Sequence, residues 1–254
     1  MRIIRKISFI SIILVGLSTS FNNANNLSNL INTKHGFPLI TKVKASARNR
    51  AYRDEEIKYY YNSGIKNHNQ GNYKAAISDF TMLIDLDILD NTKHFSYYKN
   101  NDLADVYQRR SYSKRKLEDF DGAIIDLTRA IEIFPEGYDG YFFRGEIKAL
   151  AGNNKEALSD INKGFEIMGT SKKDLGFKSI MLDLRGTIKL KLGYPIEAMN
   201  DYNQAIITDR NNKHVYLNRA LLKYDNNDLA EAIVDLNEAI EIDPYFGPAY
   251  YRRG

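Results

Sequence analysis

The chemically reactive side chains of this sequence are scattered rather than grouped. Cysteine is absent, which excludes a disulfide framework, a thiolate metal site and a catalytic thiol. The sequence contains no phosphate-cradling glycine loop, no nucleophile elbow and no pair of histidines at ligand spacing. We therefore expect no catalytic residue, no metal site and no cofactor, and a protein that is not an enzyme. The histidines, which we expect on the surface, are His35, His68, His94 and His214.

Arginine and aspartate recur along the chain at matching intervals. The arginines could form a basic stripe for an anionic ligand, or they could pair with the aspartates in a ladder of charge-assisted hydrogen bonds. We favour the ladder, because an aspartate accompanies every arginine and cancels its field. The residues are Arg110, Arg144, Arg185 and Arg219, with Asp79, Asp126, Asp160, Asp201 and Asp235.

The net charge of +4 has a local origin. Residues 1–53 contain nine Lys and Arg and no Asp or Glu, whereas residues 54–254 contain 27 basic and 32 acidic residues. Binding to nucleic acid usually needs a basic face on the folded domain to neutralise phosphates. The mildly acidic body therefore argues against a nucleic-acid partner.

The N-terminus has the pattern of a secretory signal peptide. A basic start, "MRIIRK", precedes the apolar run "ISFISIILVGL", which is too short to span a bilayer comfortably. Small residues, Ser18 and Ser20, follow the run. We predict a signal peptide over 1–20 and export across the inner membrane to a periplasm or lumen. An uncleaved anchor is the alternative, and membrane contact is expected only through this segment.

Residues 21–56 are rich in Asn and basic side chains and predict a flexible linker. Beyond them, "AIIDLTRAIEIFP" at Ala123 and "AIVDLNEAIEIDP" at Ala232 are identical at nine of thirteen positions. Five alanines open such a pattern, and their separations fit a 34-residue unit that is lengthened twice. A period of this length indicates a stacked helical array. The units are 57–90, 104–137, 138–171, 179–212 and 213–246.

Each unit has the residue pattern of two crossing helices, A and B. Positions 4, 24 and 28 are large and positions 8, 20 and 27 are mostly small, so the small side chains of one helix admit the bulky ones of its neighbour. Pro135 and Pro244 are expected to stop helix B. The side chains expected to cap its start are Asn72, Asp119, Asn153 and Asp228.

This pattern resembles the tetratricopeptide repeat, and five copies in register cover the chain from residue 57 onward. The resemblance implies an all-α, right-handed superhelical solenoid of about five helix-turn-helix repeats plus the start of a sixth at 247–254. Asn154 at position 17 departs from the family pattern, as do Ile88, Gly169 and Arg210 at a position where proline is typical. These departures concern local helix ends.

The resemblance also implies a concave face, lined by helix A, that holds a peptide or a partner helix. Positions 5 and 9 of each repeat would line it. Tyr61 and Ile65 lack the lysine and asparagine with which some members grip acidic C-termini. The expected partner-binding residues are Tyr61, Ile65, Gln108, Tyr112, Phe142, Glu146, Asp183, Thr187, Leu217 and Leu221.

The function expected from this surface is that of a protein-protein interaction scaffold. By analogy with exported relatives, it would serve assembly of an envelope or lumenal complex. Because "GPAYYRRG" opens another repeat, the alternative is a substrate-recruiting or regulatory module of a longer enzyme truncated after Gly254. Self-association through the repeats is a third hypothesis.

Overall fold

The computed structural model describes residues 50–90, 102–170 and 174–254. The predicted signal peptide, most of the predicted linker, His35 and His94 lie outside these residues. Contacts divide the chain into two units, Met1–Tyr59 and Tyr60–Gly254. The described part of the first unit is the beginning of one helix, which starts at Arg50.

Helices account for nearly all of the described residues, which contain no strand. The first helix begins at Arg50, seven residues before the predicted first repeat. The helices are α1 Arg50–Asn69, α2 Tyr73–Asp90, α3 Asp102–Lys116, α4 Phe120–Ile133, α5 Tyr138–Leu150, α6 Asn154–Met168, α7 Leu175–Lys191, α8 Pro195–Thr208, α9 Lys213–Asp225, α10 Leu229–Ile242 and α11 Gly247–Arg253.

The helices pack in chain order. Helix A of each repeat (α1, α3, α5, α7 and α9) packs on helix B of the same repeat, and helix B packs on helix A of the next. Smaller contacts join successive A helices, as between α5 and α7. This nearest-neighbour packing is the architecture of a solenoid. The all-α superhelical solenoid of about five repeats, with α11 opening a sixth, is confirmed.

The small residues lie where the helices approach most closely. The five alanines at position 20 are at most 3% exposed. At Gly186 an added Cβ would lie 2.7 Å from the ring of Tyr202 and 3.2 Å from the carbonyl oxygen of Ala198. Glycine is therefore required at this crossing because no side chain fits between α7 and α8.

The helix ends agree with the sequence in part. Helix α4 ends at Ile133 and α10 at Ile242, just before Pro135 and Pro244. Asp119 caps α4 by accepting a hydrogen bond from the Gly122 amide. The expected caps Asn153 and Asp228 precede α6 and α10 but accept no such bond. The residue type therefore marked the start of the helix correctly, but not its hydrogen bonding.

Helix α7 is longer than the repeat spacing predicts. It begins at Leu175, inside the segment 172–178 that interrupts the 34-residue period. Phe177 in this added turn contacts the rings of Phe142 and Phe143 on α5, at centroid distances of 5.6 and 6.0 Å. Burial of this ring against the preceding repeat stabilises the extension.

None of the described helices is both long enough and apolar enough to cross a membrane.

Candidate functional site

The arginines form the predicted ladder with the aspartates. In each pair, Nε and Nη2 donate to the two carboxylate oxygens over 2.6–2.9 Å, from helix A to helix B of one repeat. Such two-point pairs are geometrically specific. The pairs are Arg110 with Asp126, Arg144 with Asp160, Arg185 with Asp201 and Arg219 with Asp235.

The remaining nitrogen of each guanidinium, Nη1, donates a hydrogen bond to a residue of the preceding repeat. Arg144 Nη1 donates to Thr128 Oγ1 of α4 at 3.1 Å, and Arg219 Nη1 donates to Asn203 Oδ1 of α8 at 2.7 Å. Arg253 on α11 continues the pattern with Asn237 at 2.8 Å. The arginines thus fasten successive repeats together, and the structural ladder is confirmed over the basic stripe.

A lysine one helical turn after each arginine binds the same aspartate, a contact that was not predicted from the sequence. The Nζ–Oδ2 distances are 2.7–2.9 Å. Two cations therefore share one buried carboxylate, so the aspartate does not cancel the full charge. These lysines occupy the same position in four successive repeats, which was a visible signal in the sequence. They are Lys114, Lys148, Lys189 and Lys223.

The first repeat replaces this charged triad with neutral donors. Ser63 Oγ and Asn67 Nδ2 both donate to Asp79 Oδ2 at 2.8 Å. Asp79 therefore keeps its hydrogen bonds, and no cation pairs with it among the described residues.

A cavity of about 330 Å³ lies between the A helices of the first three repeats. Four of the ten expected partner-binding residues line it: Ile65, Gln108, Tyr112 and Glu146. Phe80 and Ile147, both almost fully buried, form an apolar floor. Its volume is at the lower end for ligand sites and suits one or two side chains better than an extended ligand. We call it the anchor cavity; its other lining residues are His68, Asn69, Asp105, Arg109, Ser111, Arg115 and Phe143.

Tyr112 forms an exposed wall of the anchor cavity whose position is fixed by its neighbours. Its ring is 41% exposed, yet His68 lies 4.9 Å away, centroid to centroid. The side-chain cations of Arg115 and Lys116 lie 5.5 and 5.3 Å from the ring centroid. Because these contacts hold the ring in place, a partner would lose little entropy in ordering it.

Two ion pairs lie at the cavity wall. Arg109 binds Asp105 at 2.6 Å, and Asp105 also accepts a hydrogen bond from the Tyr61 hydroxyl at 2.8 Å. Arg115 of α3 binds Glu146 of α5 at 2.8 Å. Burial raises the pKa of Tyr61, and the bond to Asp105 adds to the shift. The wall charges are thus balanced, so the cavity selects for apolar shape more than for charge.

His68 is half-buried in this cavity and is not the surface residue expected from the sequence. Burial, and then the positive charges of Lys116 and Arg109, lower its pKa. The imidazole is therefore neutral at pH 7, with Nδ1 2.9 Å from Ser113 Oγ. His214 is exposed, as expected, and rests edge-on against Phe246 at a centroid distance of 5.1 Å. The described residues contain no cluster of three or more His, Asp or Glu that could hold a metal ion.

Phe142 has a different position from the one expected. It is 0% exposed and belongs to the core between α5, α6 and α7, where it meets Phe165 and fills the space left by Gly164. A partner cannot reach it in this conformation. The adjacent Phe143 lines the cavity instead. Phe142 packs against α6 and α7, away from the cavity, so its ring belongs to the core.

The remaining expected residues belong to the fourth and fifth repeats. Leu217 and Leu221 are half-buried on α9. Thr187 Oγ1 lies 3.3 Å from the Tyr202 hydroxyl. Asp183 accepts a hydrogen bond from Asn218 Nδ2 of α9 at 2.8 Å. Burial raises the pKa of Asp183 to about 6. This half of the A-helix face thus combines one largely desolvated carboxylate with two half-buried leucines.

Several residues of the cavity were not predicted, because they lie outside positions 5 and 9 of the repeat. Asp105, Arg109 and Arg115 lie on the same face of α3 as Gln108 and Tyr112. Their spacing of three and four residues along one helix was the available signal.

Comparison with known proteins places the repeats in one family. The family model described as "Tetratricopeptide repeat" matches residues 104–136 and 214–246, the second and fifth repeats. Human tetratricopeptide repeat protein 6 is 28% identical over 118 residues, which cover 46% of this chain and 21% of that protein. Human mitochondrial import receptor subunit TOM70 is 26% identical over 153 residues, or 58% of this chain and 24% of that protein. The chain thus spans less than a quarter of the length of these two relatives.

Among solved structures, YrrB, described as a tetratricopeptide-repeat protein with an unusual peptide-binding site, aligns with a TM-score of 0.57 at 15% identity. The alignment covers 83% of this chain and 99% of YrrB. At this identity the likeness concerns the fold. With five hairpins in register, a buried alanine at the same position of each, and two repeats matched by the family model, the described repeats have the tetratricopeptide-repeat fold.

Proposed function

We propose that this protein is an interaction scaffold that binds an extended or helical segment of a partner protein along its A helices, with an apolar side chain of that segment in the anchor cavity. The observation that carries the proposal is the cavity itself. It combines an apolar floor, a fixed and exposed tyrosine and a charge-balanced wall. Aromatic residues in such settings dominate binding energy at protein interfaces.

Similar proteins support this type of function. TOM70 is named as an import receptor subunit, and YrrB is described as having a peptide-binding site. These descriptions belong to those proteins. For this chain, they favour a partner of the same chemical class, a polypeptide, over a small metabolite.

The test is selection of peptides from a phage-displayed library of random linear sequences on the repeat-containing chain. Peptides that share an apolar residue are expected, and their affinity should fall roughly tenfold or more in Tyr112→Ala, the typical effect of removing an aromatic anchor. Ile125→Ala is the matched control. Ile125 is 68% exposed on helix B, away from the cavity. Equal losses in both variants, or no selected peptide, would contradict the proposal.

Location and assembly are part of the same proposal. The signal-peptide pattern of residues 1–20 supports export, and fractionation of cells expressing the tagged chain tests it. A role as a recruiting module of a longer enzyme is compatible with the same binding surface. Self-association would appear as a concentration-dependent mass in sedimentation.

A further inference from the structure

We propose that Asp183, on the A-helix face of the fourth repeat, receives a lysine or arginine side chain of the bound partner segment. This inference rests on the proposed function, since it assigns a second contact for the same segment. It gives the partner a chemical signature of an apolar anchor followed or preceded by one basic residue.

Asp183 differs from the buried aspartates of the ladder in its charged partners. Asp126, Asp160, Asp201 and Asp235 each bind one arginine and one lysine. No ion pair reaches Asp183 in the part of the chain that the structure describes. A carboxylate that is largely removed from water without a counter-cation is costly. Asp183 is half-buried and has no such cation among the described residues, which needs an explanation.

The hydrogen bonding of Asp183 is also incomplete. Oδ1 accepts from Asn218 Nδ2, and among the described residues no donor reaches Oδ2. Oδ2 is not sealed from solvent, since it is absent from the fully buried, unpartnered polar atoms of the described residues. A carboxylate has acceptor capacity for several donors, so this oxygen can take a donor from an incoming ligand.

The charged neighbours of Asp183 are already engaged elsewhere. Arg185 and Lys189 of α7 bind Asp201 of α8, and Arg219 of α9 binds Asp235. Among the described residues, the ring and hydrogen-bond contacts of α5 and α6 with α7 are made by neutral groups, namely aromatic rings and the Asn162 amide: Tyr138, Phe142, Phe143, Phe165 and Asn162. Burial, with a further contribution from the charge of Asp183, raises the pKa of the Tyr202 phenol of α8 to about 12. Tyr202 therefore stays neutral.

A cation from outside the chain would therefore meet an uncompensated carboxylate in partly desolvated surroundings. Such charge-assisted bonds are stronger than neutral ones, and they are stronger in a low local dielectric than in water. Burial raises the pKa of Asp183 to about 6, so the free carboxyl is ionised at neutral pH and protonated in mild acid. Binding of a cation favours the ionised form and should weaken as the pH falls below about 6.

The same peptide selection provides the test. Peptides selected on the wild type are expected to carry Lys or Arg at a constant distance from the apolar anchor. Replacing that residue by norleucine should weaken binding to the wild type roughly tenfold, the size of one charge-assisted contact. In Asp183→Asn the same replacement should change the affinity less than twofold. Asp225→Asn, an exposed aspartate on α9, is the control and should behave as the wild type.

The outcomes separate the two proposals. Selected peptides with an apolar anchor but no basic preference would overturn the role of Asp183 and leave the anchor cavity intact. A basic preference that persists unchanged in Asp183→Asn would also overturn it. The affinities of the basic peptide and its norleucine analogue can also be compared on the wild-type protein alone. The ratio of these affinities should fall between pH 8 and about pH 5, because the Asp183 carboxyl becomes protonated. Failure to select any peptide would overturn the proposed function, and this inference with it.

Discussion

Arg110 on α3 donates Nε and Nη2 to the two carboxylate oxygens of Asp126 on α4, at 2.9 and 2.6 Å, while its Nη1 donates to Thr81 on α2. One side chain thus joins both helices of its own repeat to the repeat before it. The recurrence of this arrangement explains how a solenoid built from contacts between neighbouring repeats keeps a fixed repeat-to-repeat geometry. The A-helix face depends on that geometry.

Asp126→Asn should be strongly destabilising. The aspartate is 1% exposed and serves two cations, Arg110 and Lys114, which would be left without a counter-charge. Removal of one partner from a buried pair costs about 3–5 kcal/mol. Urea denaturation measures the loss. Glu132→Gln removes a half-exposed pair with Arg129 and should leave the midpoint nearly unchanged; equal effects of the two variants would refute the ladder as a stabilising element.

Gly186→Ala should destabilise the crossing of α7 and α8. The new Cβ would lie 2.7 Å from the Tyr202 ring and 3.2 Å from a backbone oxygen, so the helices must separate. Overpacking of this kind costs about 1–3 kcal/mol, against up to 1 kcal/mol gained from the helix propensity of alanine. The control is Gly176→Ala in the same helix, where the nearest atom is 3.7 Å away. A lower melting temperature is expected only for Gly186→Ala, and a rise for both would show that the crossing is loose.

Asp183 should make stability depend on pH. Burial raises the pKa of its carboxyl in the folded state from the ordinary 3.8 to about 6. Between these two values, the folded state holds a proton that the unfolded chain has released. Its contribution is fully present below about pH 4 and is lost as the pH rises through about 6, by up to about 3 kcal/mol. Asp183→Asn keeps the shape without the charge and should be more stable than the wild type at pH 8 and similar at pH 4. Parallel pH profiles for the two proteins would contradict this.

Phe142 and Tyr112 should separate stability from binding. Phe142→Ala removes a fully buried ring and should cost about 3–5 kcal/mol. Tyr112→Ala removes a ring that is 41% exposed and should leave the unfolding midpoint close to that of the wild type while weakening peptide binding. Calorimetry on both variants checks the distinction. If Phe142→Ala lost peptide binding but kept the stability of the wild type, Phe142 would belong to the binding surface and not to the core.

The fold could be predicted well from the sequence because each packing position occurs five times, once in each repeat. Ala76 and Ala232 lie more than 150 residues apart, yet the same small position is buried in both. The pairing of Arg144 with Asp160 followed from the same period. Five copies also make a departure visible, as in Ser63 with Asp79, where neutral donors replace the cations.

The site was less predictable because it depends on rotation of each helix about its axis. Phe142 and Phe143 are adjacent on α5, yet Phe142 packs into the core with α6 and α7 while Phe143 lines the cavity. The sequence pattern did not distinguish these two positions. His68 was missed for a different reason. Its environment is made by Tyr112 and Ser113 of the next repeat, which no local pattern around residue 68 reveals.

The central claim is that a partner segment lies on the A helices with an apolar residue in the anchor cavity. The most direct measurement is photo-crosslinking with a selected peptide whose apolar anchor is replaced by benzoylphenylalanine, followed by mass spectrometry of the adduct. The account predicts adducts on α1, α3 or α5, at cavity residues such as Ile65, Tyr112 or Phe143. Adducts confined to helix B surfaces, such as the one around Ile125, would contradict it.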